Sequence, residues 1–171
     1  GRALGSQRNW THILINMVRF SIRNNLGSGK VRIVTFNYDT ILEYILSKVF
    51  QSTELEYQDF REHFEIAHMH GEFSALEETV ESPAKVVSDW ANGICVVQED
   101  DAKVPEQVKA NRELAKSWIR SSQKIYAAGF AFAGTNCRLL GLYDRPKKSR
   151  ELYYCNYDGN MGLTQAVKRF S

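Results

Sequence analysis

A chain of 171 residues, 43% apolar and 25% charged, has the make-up of one globular domain with its own core, which excludes extended disorder. A net charge of +2 leaves no broad basic face for nucleic acid, and the densest basic run, Lys147-Lys148-Ser149-Arg150, reads as a solvated loop. No apolar run approaches the ~18 residues of a membrane span, so no membrane partner is expected.

Residues 9–26 carry Ile13, Leu14, Met17, Val18 and Ile22 at helical spacing, and Gly27 is a stop signal. Gly27-Ser28-Gly29 turns into a predicted strand over 31–36. A helix is expected over about 39–50, while 51–62 is polar, aromatic and hard to assign. Phe64 to His70 reads as a second strand, ended by Gly71. Residues 72–92 are mixed, with Pro83 as a local breaker, and Ile94 to Val97 reads as a short buried strand. A helix is expected over about 105–121, marked by Val108, Leu114, Trp118 and Ile119. Lys124 to Ala128 reads as a strand running into Gly129, Asn136 to Leu142 as a short helix, Glu151 to Cys155 as a strand and Met161 to Phe170 as a last helix.

Strands alternating with helices predict an α/β fold: a Rossmann-like, mostly parallel sheet with helices on both faces. In such sheets ligands bind at the carboxyl ends of strands. Polar residues at those ends are therefore the candidates for chemistry. Thr35-Phe36-Asn37-Tyr38-Asp39 closes the first strand. Asn37 offers a donor and an acceptor, and Asp39 an acceptor, to a carboxamide or to ribose hydroxyls. Asp39 equally suits capping of the next helix. His70, at a strand end before a glycine, suits a general base near neutral pH or a satisfied imidazole. His68 lies on the same strand face, but no acidic or cysteine partner stands at a telling spacing, so no metal is expected.

Gly129 would let backbone approach a ligand closely, and Thr135 and Asn136 would cap a helix whose start could face phosphate. Asn156 follows the late strand. Gly27-Ser28-Gly29-Lys30 is not a phosphate loop, because a strand follows it where that motif requires a helix. Cys95, Cys137 and Cys155 are odd in number, scattered and without a CxxC. This disfavours a disulfide framework or a four-thiolate zinc site and fits a reducing, cytoplasmic setting, as does the lack of a signal-peptide layout. Cys137 and Cys155 read as packing residues.

Taken in order, these clusters resemble the sirtuin superfamily, and particularly the sirtuin-like NAD hydrolase domains of bacterial antiviral defence proteins. Thr35 to Asp39 is similar to that family's Thr-Gln-Asn-Ile-Asp strand end, with Leu42-Glu43 following as in the sirtuin-like variants. Met69-His70-Gly71 is similar to Leu-His-Gly. Ile125 to Gly129 with its following loop resembles the strand carrying Gly-Thr-Ser or Gly-Phe-Ser, and Tyr154-Cys155-Asn156 resembles the late strand ending in Ile-Asn. The resemblance covers about residues 31–170.

It implies a single Rossmann domain over 1–171 that takes NAD as its substrate and needs no metal. Asn37 would sit by the nicotinamide ribose and position the attacking water, and His70 would be the general base working through the ribose hydroxyls. Asp39 would receive the carboxamide, within the cluster that Thr35 opens. Gly129 would approach the phosphates or a ribose, and Asn156 the adenosine ribose. A homo-oligomer or an activating protein partner is implied as well.

The sequence departs from the family at three points. Phe36 replaces a glutamine, Ala131 replaces a serine, and the opening Gly-Ala-Gly strand and loop would fall before Gly1, so the domain is expected to be incomplete at its N-terminus. The missing cysteine quartet disfavours a protein deacylase. The expected activity is thus NAD hydrolysis, to nicotinamide and ADP-ribose or a cyclic form. The alternative is a module that binds NAD or ADP-ribose, or that serves assembly, without turnover.

Overall fold

A computed structural model describes residues 30–51, 59–73, 83–95, 104–144 and 151–154, together with positions 15, 16, 19, 20, 24, 165 and 167. Asn156, Cys155, most of the expected first and last helices, and Val96 and Val97 lie outside the described residues. The chain divides into two compact units. The first holds residues 1–33 and 39–66; the second holds 34–38 and 67–171.

The architecture is mixed α/β, with two short two-stranded sheets. Strand β1 (Val31–Thr35) pairs with β2 (Phe64–His68). Val31 donates to His63 at one end and Met69 donates to Thr35 at the other, so the two strands run parallel. Val31, Ile33 and Val34 are β-branched residues suited to a pleated, half-buried surface. Strand β3 (Lys124–Ala127) pairs in parallel with β4 (Glu151–Tyr154), Lys124 facing Glu151 and Ala127 facing Tyr154.

In the first unit, helix α1 (Ile41–Gln51) buries Leu46 and Phe50 against Phe60, Phe64 and Ile15, with Leu42 and Val49 alongside. These positions fall at helical spacing, and Ile41 and Tyr44 on the other side are exposed. The helix starts slightly later than its sequence implies. The Asp39 carboxylate accepts from the Ile41 nitrogen, and the Thr40 carbonyl accepts from Tyr44, so the first-turn donors are met as a cap requires.

In the second unit, helix α2 (Pro83–Gly93) corrects the reading of Pro83 as a breaker. Proline stands at the first helical position, where its missing N–H costs nothing. Ile94 and Cys95 are not strand, although Cys95 is buried as expected. Helix α3 (Glu106–Ser121) lies close to its expected bounds and buries Val108, Arg112, Ala115, Trp118 and Ile119. Leu114, expected to mark the core face, is exposed instead.

The main core of this unit gathers Ala67, Met69, Ala115, Trp118, Ile119, Phe132, Cys137, Leu140 and Leu142. Ile125, Ala127, Leu152 and Tyr154 pack on it from the inward face of β3 and β4. On the outward face Tyr126 and Tyr153 stack with centroids 4.9 Å apart. Helix α4 (Gly134–Leu139) starts two residues before the expected Asn136 and gives way to a 3-10 turn at Leu142–Asp144. No helix of the described residues is long and apolar enough to cross a membrane.

Candidate functional site

The ends of β1 and β2 present their polar residues within the second unit. After β1, the Thr35 hydroxyl accepts from the Asn37 nitrogen at 3.1 Å, a local turn that lifts Asn37 out of the strand and leaves it exposed. The Tyr38 carbonyl accepts from Phe73, tying this turn to the segment that follows β2. After β2, His70 is 3% exposed, and its Nδ1 has no hydrogen-bond partner among the described residues. The Phe36 ring meets the His70 imidazole edge-on at 5.3 Å between centroids, and the Tyr38 ring lies 6.0 Å away. The two neighbours of Asn37 thus form aromatic walls around His70. A buried polar atom with no partner is uncommon enough to demand a reason.

Burial lowers the His70 pKa below the usual histidine value, and the positive charge of Arg112 lowers it further. Both effects favour the neutral imidazole over the charged one. Arg112 is itself buried. Its Nε donates to the Met69 carbonyl at 3.0 Å and its Nη2 lies 3.3 Å from the Cys95 sulfur, while the Cys95 nitrogen donates to the His70 carbonyl at 2.8 Å. Sequence reasoning missed Arg112. The signal was present: position 112 shares the helical stripe of Val108, Ala115 and Ile119, where a cation needs a buried partner.

Gly71 holds φ +85°, and a Cβ placed there would run into the carbonyl of Gly93. That close approach explains why a glycine ends this strand. His68 is buried too. Its Nδ1 is 2.8 Å from the Asn37 carbonyl oxygen, and its Nε2 is 3.4 Å from the Glu72 carboxylate. Glu72 is an acidic neighbour that residue spacing did not reveal.

The loop after β3 joins the same cluster through aromatic contacts. Phe130 lies 5.5 Å from Phe36, and Phe132 lies 4.8 Å from Phe130. Gly129 is exposed at φ +64° with open space where a side chain would stand, so its backbone is free to be approached. Phe132 holds φ 53° while buried, a conformation that strains a bulky residue. Thr135 and Asn136 do not cap α4 as expected. The cap position is Ala133, with no side-chain bond, and both residues lie inside the first turn of a six-residue helix. Thr135 is exposed and Asn136 half-buried.

Asp39 serves its helix in the first unit. The segments after β1, β2 and β3 therefore meet around His70 and Phe36, while Asn156 lies outside the described residues. Cys137 is fully buried, and burial raises its thiol pKa, as befits a packing residue rather than a nucleophile. Comparison with known proteins gave no match to a family model, to a curated protein or to a solved structure.

Proposed function

We propose that this chain is an NAD hydrolase domain of Rossmann-like type, cleaving the N-glycosidic bond to nicotinamide at the ends of β1 and β2. The observation that supports the reading most is His70, a buried imidazole whose Nδ1 has no partner among the described residues, walled by the two neighbours of an exposed Asn37. An apolar wall with one convergent base is the arrangement that general-base chemistry needs.

In this reading the bond between the ribose C1′ and the pyridinium nitrogen breaks, and its electron pair leaves with nicotinamide. Asn37 holds a water oxygen against the oxocarbenium face, and the new C–O bond forms there. The water's one surplus proton passes through the ribose hydroxyls to His70, which releases it to solvent. Positioning and electrostatics carry most of the rate, because the leaving group needs no activation by covalent chemistry. Thr35 shapes the turn that carries Asn37. Gly129 approaches the phosphates or a ribose through its open backbone, with Thr135 and Asn136 in the first turn of α4 beyond it.

A second reading, a module that binds NAD or ADP-ribose or serves assembly without turnover, is favoured by how little of His70 is exposed and by Ala131 at the expected serine. Nicotinamide release from NAD separates the two. Release supports hydrolysis. A rise in melting temperature with NAD but no release supports the binding module, and neither effect at millimolar NAD contradicts both.

A further inference from the structure

We infer that His68 is a positioning residue: its Nδ1–H, given to the main-chain oxygen of Asn37, holds the turn after β1 in the form that presents the Asn37 side chain. The inference rests on the reading of Asn37 as a site residue. The bond is 2.8 Å long and its donor ring is 2% exposed. A carbonyl oxygen only accepts, so Nδ1 carries a hydrogen in this contact. Nε2 then faces the Glu72 carboxylate at 3.4 Å.

The ring is held from its backbone as well. The His68 carbonyl accepts from the Asn111 side chain on α3 at 3.3 Å, and the next residue, Met69, donates to the Thr35 carbonyl at 2.9 Å. His68 is therefore fixed to the second strand and reaches across to the first. On the Asn37 side the turn is pinned at three points: the Thr35 hydroxyl, the His68 ring and the bond from Phe73 to Tyr38. Of these, only the His68 bond grips Asn37 by its carbonyl. A catalytic amide needs this kind of support, because a displacement of about 1 Å costs on the order of 10²-fold in rate.

The test uses two substitutions that divide the ring's nitrogens. In His68→Asn the amide nitrogen stands near the Nδ1 position, so the bond to Asn37 survives. In His68→Gln the amide lies near Nε2, so that bond is lost while a polar contact toward Glu72 remains. Hydrogen exchange of the full chain over residues 35–40 reads the turn directly and needs no ligand. Exchange there is expected to be roughly fivefold faster in His68→Gln than in His68→Asn, as loss of one hydrogen bond implies. Equal exchange in the two variants overturns the inference, whatever the chain does with NAD.

Nicotinamide release is the second readout. His68→Gln is expected to lose kcat about tenfold or more with KM little changed, and His68→Asn to recover most of it. Equal rates in the two variants beside an active wild type also overturn the inference. A wild type that releases no nicotinamide removes the hydrolase reading instead, and the exchange contrast then decides the role of His68 alone.

Discussion

The Phe36 ring and the imidazole of His70 meet edge to face, 5.3 Å between centroids, so Phe36 supplies an apolar wall to the candidate base. The contact keeps the imidazole in an apolar setting. It accords with the lowered His70 pKa, which burial causes first and Arg112 second.

That lowered pKa has a consequence for stability. The unfolded chain carries His70 with a pKa near 6.5, and the folded chain holds it lower. Between those two values the unfolded state binds more protons, so stability falls as pH drops through 6.5 toward the folded value and is full above 6.5. Urea midpoints taken from pH 8 down to pH 5 should fall less steeply in His70→Leu than in wild type. Equal slopes would show that His70 titrates normally.

Arg112 supplies both charge and anchorage. Arg112→Met should raise the His70 pKa, read from the ring proton shifts by NMR. It should also destabilise the chain by about 1–3 kcal/mol, because the buried Met69 carbonyl loses its donor. Arg112→Lys should restore the charge effect in part but not the paired contact with Cys95, since a lysine presents no planar fork. An unchanged His70 titration in Arg112→Met would refute the electrostatic role.

Gly71→Ala combines a left-handed φ of +85° with a collision against the Gly93 carbonyl. The expected loss is about 2–4 kcal/mol, from backbone strain together with overpacking. Denaturant unfolding measures it. A loss below about 0.5 kcal/mol would mean that the two segments separate without cost.

Much of this organisation is legible in the residues themselves. The β-branched run before Thr35, the apolar spacing of α1 and α3 and the alternation in Lys124–Ala127 each report one local periodicity, which is what a sequence encodes most openly. Asp39 reads as a cap and behaves as one. The errors arise where tertiary packing overrides local preference. Pro83 breaks a helix only in its interior, and here it begins one. Leu114 yields its expected core place to the stripe that contains Arg112, and Gly134 to Leu139 begins without a side-chain cap. The contacts between Phe36 and His70, His68 and Asn37, and Arg112 and Met69 join separate segments, so no single window of sequence announces them.

The most direct measurement is nicotinamide release from NAD by the full chain, run beside Asn37→Ala and His70→Ala at equal folded concentration. The account predicts release by the wild type and a loss of about 10²-fold or more in each variant, the scale of a positioned water and a general base. Robust release that survives both substitutions would contradict it.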